Sequence, residues 1–209
     1  MKVLVTGSDG FIGKNLCSSL SESGSWNIFR FTKVDDLSSL ERQLLKVDAV
    51  IHLAGVNRSK NEENFIKGNS DLTKKICDIL LKSERKIQIT FSSSVKSGDN
   101  TIYGRTKSSA EQHLIKLSRT NGNPISIYRL PNVFGKWCKA NYNSVVATFC
   151  HNKANNLPIK IDDPDKVLNL VHVDSVVGAF INSISHIKEG VEFPVVTPCY
   201  NISLGKLST

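Results

Sequence analysis

The chain has 209 residues, 40% of them hydrophobic, and a formal net charge of +8. This length supports one well-packed domain, and no apolar run approaches the roughly 18 residues of a membrane span, so we expect no membrane association and a cytoplasmic location. The five cysteines are scattered without a Cys-x-x-Cys pair, which disfavours disulfides and a metal site. The charge suits a ligand with several phosphates, whereas nucleic acid is not an expected partner because no basic run is longer than Lys74-Lys75.

A strand, a glycine-rich turn and a helix are predicted at the N-terminus. Residues 2–6 form a near-continuous apolar run, as expected of a parallel strand covered on both faces. Gly7, Gly10 and Gly13 follow at G-x-x-G-x-x-G spacing, which permits a tight turn, approach of a pyrophosphate to the backbone and close helix packing. The pattern predicts a dinucleotide site that includes Gly7, Ser8, Gly10, Phe11, Ile12 and Gly13.

The end of the second strand bears on which dinucleotide binds. Residues 27–31 predict this strand, with Arg30 near its end and Lys33 close behind. An acidic residue at such a place binds the ribose 2′-hydroxyl of NAD, whereas a basic one accommodates the 2′-phosphate of NADP. Arg30 and Lys33 therefore favour NADP(H). Asp35 and Asp36 are the counter-indication, because a later strand end would bring a carboxylate to the ribose.

The third predicted strand covers residues 49–54 and runs into Gly55. Backbone without a side chain at a strand end lets a ribose or nicotinamide approach, so we expect Leu53, Ala54 and Gly55 to contact the cofactor. His52 lies inside the strand, where a satisfied core histidine is the expected role. Arg58, in the following loop, is a candidate phosphate or substrate contact.

Helices and strands continue to alternate up to residue 130. Helices are predicted for residues 37–47, 65–81 and 101–120, and strands for residues 86–91 and 124–130, which we number as the fifth and sixth. The strand at 86–91 ends in three consecutive serines. This alternation predicts an α/β fold with a doubly wound parallel sheet.

Tyr103 and Lys107 are four residues apart at the start of a predicted helix, and therefore on one face of it. An ammonium beside a phenol favours the phenolate, so we expect the pKa of Tyr103 to be lowered toward neutrality. Such a pair predicts a general acid/base.

The segment YGRTKSSAEQ, residues 103–112, resembles the YGxSKxxxE pattern of the extended short-chain dehydrogenase/reductases. The resemblance implies that Tyr103 exchanges the carbinol proton and that Lys107 holds the nicotinamide ribose. It also implies that Ser94, at the end of the preceding strand, hydrogen-bonds the reacting oxygen. Ser93 is the alternative for that role because a one-residue slip reverses the face of a strand, and it is a predicted cofactor contact.

Residues 129–135, RLPNVFG, resemble the RxxNVYG segment of nucleotide-sugar epimerases, dehydratases and 4-ketoreductases in the same superfamily. The resemblance implies that Leu130 and Val133 line the nicotinamide and that Asn132 contacts the diphosphate of a nucleotide sugar. Residues 168–177 resemble the VHVDD element of the family, in which His172 and Asp174 would support the substrate lobe.

Residues 128–150 and 52–58 also resemble the reductase domain of bifunctional capsular polysaccharide enzymes of the CapF type and their O-antigen relatives. This resemblance implies NADPH-dependent reduction of the C4 ketone of a UDP-2-acetamido-2,6-dideoxy-4-hexulose, on the route to UDP-N-acetyl-L-fucosamine. It implies a UDP-sugar substrate and a homodimer through the helix bearing Tyr103. The residues that would face the sugar or UDP are Lys136, Asn141, Tyr142, Asn143 and Ser144.

From these patterns we expect a Rossmann core at residues 1–135 and a partial nucleotide-sugar lobe at residues 136–209, without the zinc-binding cupin of the CapF type. We expect the chain to be truncated within that lobe. Two alternatives to a reductase remain: an epimerase or dehydratase that keeps NAD tightly bound, and a catalytically impaired nucleotide-binding fragment.

Overall fold

A computed structural model of the protein describes residues 1–208. The strands are β1 (Lys2–Thr6), β2 (Asn27–Phe31), β3 (Ala49–His52), β4 (Gln88–Ser94), β5 (Ile125–Leu130), β6 (Asn132–Phe134), β7 (Val167–His172), β8 (Val191–Glu192) and β9 (Cys199–Ser203). Six of them form a parallel sheet in the order β2-β1-β3-β4-β5-β8. The other three form a smaller sheet in the order β6-β7-β9, in which β9 runs antiparallel to β7.

The helices are α1 (Phe11–Glu22), α2 (Leu37–Leu44), α3 (Glu62–Phe65), α4 (Leu72–Lys82), α5 (Ile102–Asn121), α6 (Val145–Ala154), α7 (Val173–Ser185) and α8 (Leu204–Ser208). A π-helical turn, Ile66–Asp71, joins α3 to α4. Within residues 1–208, no helix combines the length and the apolar character needed to cross a bilayer.

The larger sheet has a hydrophobic core on each face. Leu4 of β1 packs into a core with residues of α2, α4 and α5, such as Leu114. Val3 and Val5, which point the other way, pack with residues of α1 and α7, such as Leu16 and Phe180. All are fully buried, and burial of each such side chain contributes roughly 1.5–3 kcal/mol. This two-sided burial explains the continuous apolar runs and confirms the predicted doubly wound α/β fold.

Strand order brings the predicted site residues to one edge. β1 lies between β2 and β3, so the chain leaves β1 toward one side of the sheet and later returns to the other. At such a switch point the carboxyl ends of neighbouring strands leave a crevice, where ligands bind in open α/β sheets. The glycine turn after β1, Gly55 after β3 and the serines of β4 all lie at this edge.

The strand numbering expected from the sequence differs from the structure. The strands numbered fifth and sixth are β4 and β5, because residues 55–85 hold α3, the π-helical turn and α4 but no strand. The domain boundary at residue 135 stays a prediction, and elements on both sides of it share one core. α7 and β8 return to the larger sheet, where Phe180 is fully buried and β8 pairs with β5, because the apolar face of α7 covers the part of the sheet that α1 leaves open.

Candidate active site

The glycine turn is fixed by backbone packing. Gly7 has φ +66°, and a Cβ added there would lie 2.8 Å from the Ala54 nitrogen. A Cβ on Gly13 would lie 2.2 Å from the Gly7 carbonyl oxygen, so the turn packs directly against the first turn of α1. The Gly7 N–H donates to the Phe31 carbonyl at 2.8 Å, which attaches the turn to the end of β2. The spacing of the glycines therefore follows from close backbone approach on both sides.

The N-terminus of α1 suits a phosphate group. Gly10 is its N-cap and supplies no side chain to the free N–H groups, and the first turn contains no acidic residue. The positive end of the helix dipole is therefore not neutralised by a side chain of the first turn. Ser8 is buried in the turn, while Phe11 and Ile12 are half-buried against the core beneath it. These residues fit the pyrophosphate of a dinucleotide.

The end of β2 distinguishes the basic from the acidic candidates. β2 ends at Phe31, which places Arg30 in the strand and exposes its side chain. Asp35 accepts hydrogen bonds from the Thr32 N–H and hydroxyl at 2.7 and 2.8 Å. Asp36 is the N-cap of α2, and its pKa is lowered by hydrogen bonds from Ser39 and Ser38. Both carboxylates are thus committed to local turns, while Arg30 projects from the strand itself.

Tyr103 and Lys107 lie on α5, beside the end of β4. Thr101 caps this helix by accepting the Gly104 N–H at 3.0 Å. The Lys107 ammonium is buried, donates to the Ser92 carbonyl at 2.8 Å and lies 4.8 Å from the centre of the Phe91 ring. Burial lowers the pKa of Lys107 to about 8. At neutral pH the ammonium is therefore still mostly charged, and it lies at the carboxyl edge of the sheet.

The pKa of Tyr103 is raised, whereas the sequence predicts that Lys107 lowers it. Burial is the main cause, and interaction with the Ser94 hydroxyl opposes it. Lys107 does not offset the burial because its ammonium is directed at the Ser92 carbonyl. The phenol consequently keeps its proton at neutral pH, as a proton donor requires.

The serines of β4 face different partners. Ser94 interacts with the Tyr103 phenol, and its hydroxyl oxygen also accepts the Lys96 N–H at 3.2 Å. The Ser93 hydroxyl instead donates to the buried carboxylate of Glu111 at 2.5 Å. Arg129 pairs with the same carboxylate at 2.7 Å. Of the two predicted candidates, Ser94 is the one beside the phenol, because the side chains of successive strand residues alternate.

Asn69, in the π-helical turn, is a positioning residue that the sequence analysis does not identify. Its side chain is buried, accepts the Val56 N–H at 2.8 Å and donates to the Val56 carbonyl at 2.9 Å and to the Thr106 hydroxyl at 3.1 Å. A Cβ on Gly55 would lie 2.8 Å from the Asn69 amide oxygen and 3.4 Å from the Lys107 nitrogen. Asn69 thus joins the loop after β3 to the helix that bears the candidate catalytic residues.

His52 belongs to the core, as predicted, and it is also hydrogen-bonded on both sides. Its Nδ1 lies 2.7 Å from the Thr6 hydroxyl and its Nε2 lies 2.9 Å from the Thr73 hydroxyl. Thr73 donates to the Asn69 carbonyl at 2.6 Å, and Thr6 accepts the Ala54 N–H at 3.1 Å. These bonds assign the proton to Nε2 and leave Nδ1 as an acceptor. Burial, with a smaller contribution from the charge of Lys107, lowers the pKa of His52 to about 3.

The remaining predicted cofactor contacts are Leu53, Leu130, Val133 and Lys33. Leu130 is buried in the core shared with α7, and its carbonyl accepts the Val95 N–H at 3.1 Å. Leu53 and Val133 are partly buried against the same core. Lys33 is exposed in the turn after β2. None of these observations places a side chain of this group in contact with Tyr103.

The predicted substrate residues lie mainly on the loop of residues 135–144. Asn132 donates to the Asn169 carbonyl at 3.2 Å, within the smaller sheet. Ser144 caps α6 by accepting the Ala147 N–H at 3.3 Å. The Arg58 guanidinium donates to the Tyr142 carbonyl, which links the loop after β3 to this loop. Lys136, Asn141 and Asn143 are exposed on it.

His172 lies beside the start of this loop, at the N-terminus of α7. His172 caps α7, with its Nδ1 accepting the Asp174 N–H at 3.3 Å. Its ring packs edge-on against Phe134, and a Cβ on Gly135 would lie 3.0 Å from its Nε2. The turn at Gly135 is therefore shaped by α7.

Comparison with known proteins agrees with this arrangement. The model of the NAD dependent epimerase/dehydratase family matches residues 3–202. A UDP-2-acetamido-2,6-beta-L-arabino-hexul-4-ose reductase from Pseudomonas aeruginosa is 42% identical over 208 residues, covering 100% of this chain and 56% of the relative. The capsular polysaccharide assembling protein CapF from Staphylococcus aureus aligns with a TM-score of 0.85 and 37% identity, covering 100% of this chain and 56% of CapF.

More distant structures share the fold. MoeE5, in complex with UDP-glucose and NAD, aligns with a TM-score of 0.86 at 20% identity, covering 99% of this chain and 79% of MoeE5. The chain spans little more than half the length of the Pseudomonas and Staphylococcus relatives. The matched family and the reductase relative confirm the family resemblance seen in the motifs. The chain belongs to the NAD dependent epimerase/dehydratase family.

Proposed function

We propose that this chain carries the reductase activity of a nucleotide-sugar 4-ketoreductase. It would reduce the C4 ketone of a UDP-2-acetamido-2,6-dideoxy-4-hexulose, a step toward UDP-N-acetyl-L-fucosamine-type sugars of capsules or O-antigens. The observation that carries this proposal is the group formed by Tyr103, Ser94 and Lys107 at the sheet edge that also holds the glycine turn. The named reductase relative, similar over the whole chain, supports the substrate class.

Each residue of the group has a role that its environment favours. The Tyr103 phenol, kept protonated by its raised pKa, donates the proton to the carbonyl oxygen at C4. Ser94 hydrogen-bonds the same oxygen and stabilises the negative charge that develops there. Lys107, held by the Ser92 carbonyl, orients the nicotinamide ribose and supplies positive charge. The bound dinucleotide supplies the hydride.

NADPH is the proposed donor. Arg30 projects from the end of β2, while Asp35 and Asp36 are committed to the turn before α2. A guanidinium at this place favours a ribose 2′-phosphate, which only NADP(H) carries. A homodimer through α5 is proposed on the family resemblance.

The reaction is tested by following NADPH oxidation with the UDP-4-keto sugar. We expect Tyr103→Phe to bind NADPH with unchanged affinity and to lose turnover by about 10²–10⁴-fold, the usual contribution of a general acid. Tyr200→Phe, at a half-exposed tyrosine of β9, is the matched control and keeps full activity. Undiminished NADPH oxidation by Tyr103→Phe excludes the assigned role. NAD⁺ that copurifies with the protein and is not exchanged favours an epimerase or dehydratase instead.

A further inference from the structure

A cavity of about 380 Å³ lies between α1, the end of β2 and the loop of residues 135–144. Ser8, Lys14, Arg30 and Trp137 form part of its wall, and Glu22 is the one carboxylate there. Lys14 and Arg30 form no ion pair within the part of the chain that the structure describes. The cavity therefore joins the glycine turn and the basic end of β2 to a residue of the loop predicted to face the nucleotide sugar.

The position of Trp137 is imposed by its neighbours. Its backbone has φ +67°, a conformation that a bulky L-residue rarely adopts. The preceding Lys136 carbonyl accepts a hydrogen bond from the Asn15 side chain at 2.9 Å, and the same amide donates to the Phe11 carbonyl at 2.9 Å. Asn15 is buried in α1, next to the glycine turn. The Lys136 ammonium lies 4.3 Å from the centre of the indole.

The other end of the loop is attached to the sugar side of the site. Arg58, which follows β3, donates to the Tyr142 carbonyl. Asn141 is the second non-glycine residue of the loop with a positive φ, +56°, and its N–H donates to the Thr148 hydroxyl at 2.9 Å. One short loop thus runs from the dinucleotide turn to the residues proposed to bind UDP, with an anchor and a strained residue near each end.

We propose that Trp137 couples dinucleotide binding to nucleotide-sugar binding. A dinucleotide whose adenosine end lies beside Ser8 and Arg30 would share the cavity with the indole and fix the loop of residues 135–144. UDP would then bind to a loop that is already ordered, so that less conformational entropy is lost in the second step. This inference rests on the proposed function only for the identity of the two ligands.

The coupling is measured by titrating UDP into the protein with and without saturating adenosine 2′,5′-bisphosphate. We expect the bisphosphate to tighten UDP binding by a factor of about 5–150, and UDP to tighten bisphosphate binding by the same factor. The chain has two tryptophans, so Trp26→Phe leaves Trp137 as the single fluorophore. In that variant NADPH and the bisphosphate should each change the Trp137 emission.

Two variants test the route of the coupling. In Trp137→Ala the coupling factor, which is the ratio of UDP affinities with and without the bisphosphate, should fall below about 2. Asn15→Ala, which removes the anchor at Lys136, should lower the factor in the same direction and serves as the test if Trp137→Ala does not fold. Trp26→Phe is the matched control and keeps the full factor.

A factor near 1 in the unmodified protein, or an unchanged factor in Trp137→Ala, overturns the proposal. These outcomes are separate from those of the proposed reaction. If the ligands are coupled but the UDP-4-keto sugar is not reduced, the proposed reaction fails and the coupling stands. If the sugar is reduced but the two ligands are not coupled, the proposed reaction stands and the coupling fails.

Discussion

The glycine turn and the loop of residues 135–144 border the same site but are held in place in different ways. The turn is defined by backbone atoms at van der Waals distance, where only glycine fits at positions 7 and 13. The loop is exposed, and side chains from other elements, Asn15 and Arg58, hold its carbonyl groups. The dinucleotide end is thus rigid through steric exclusion, whereas the sugar end depends on a few hydrogen bonds. Four predictions test this difference.

The largest effect on cofactor binding is expected in the turn, at Gly13. In Gly13→Ala the new methyl group would lie 2.2 Å from the Gly7 carbonyl oxygen, so the turn or α1 must move. We expect a loss of about 1–3 kcal/mol in the free energy of unfolding and at least about a tenfold weaker binding of NADPH. Unfolding by urea and a fluorescence titration measure the two effects. Gly178→Ala in α7, where a Cβ meets nothing within 4 Å, is the control and should be neutral or stabilising.

The complete burial of His52 predicts that acid destabilises the rigid end of the site. Its pKa is about 3 in the folded protein, against the ordinary value of 6.5 that we expect in the unfolded chain, so the unfolded chain takes up a proton first as the pH falls. The free energy of unfolding therefore does not depend on His52 above pH 6.5. Between pH 6.5 and 3 it falls by up to about 5 kcal/mol, because the unfolded chain is protonated there and the folded protein is not. His52→Gln should be less stable at pH 7 but should lose less stability on acidification. An acid profile identical to that of the unmodified protein contradicts this account.

The buried charge of Lys107 should lower the free energy of unfolding at neutral pH. Burial lowers its pKa from 10.5 to about 8, which corresponds to about 3 kcal/mol, partly offset by its bond to the Ser92 carbonyl. The destabilisation from the buried charge is at its full value below pH 8. Between pH 8 and 10.5 the unfolded chain binds more protons than the folded protein, so the free energy of unfolding rises with pH.

At pH 7, Lys107→Met should therefore gain about 1–2 kcal/mol in the free energy of unfolding and unfold at a higher temperature than the unmodified protein. It should also lose turnover. The difference in stability between this variant and the unmodified protein should become smaller toward pH 10. Thermal unfolding at both pH values measures it, and the exposed Lys116→Met is the control. A lower melting temperature for Lys107→Met at pH 7 would contradict the assignment of a buried, charged ammonium.

The smallest effect compares two helix caps. Thr101 caps α5 and Ser144 caps α6, so replacing either by alanine should cost about 1 kcal/mol of stability. Thr101→Ala should lower turnover, because α5 carries Tyr103. Ser144→Ala should mainly weaken UDP binding, because it loosens the end of the loop. If both variants change turnover and UDP affinity equally, the proposed difference between the rigid turn and the loop of residues 135–144 is contradicted.

The sequence predicts the fold of the rigid end well because its signals are local. Continuous apolar strands, glycine spacing and the interval from Tyr103 to Lys107 each follow from the geometry of one element. The pKa of Tyr103 is predicted in the wrong direction, because the direction of the Lys107 side chain depends on the Ser92 carbonyl of another element. The role of Asn69 is equally hidden, since it requires a π-helical turn and a loop from a different strand. The return of α7 to the core depends on which part of the sheet remains uncovered.

The central claim is net hydride transfer to C4 of the sugar, with the proton from Tyr103. Incubation with UDP-4-keto sugar and NADPH deuterated at the transferable position tests it directly. The account predicts that deuterium appears at C4 of the product, with one NADP⁺ formed for each sugar reduced. An isomerised sugar without deuterium and without consumption of NADPH would contradict it.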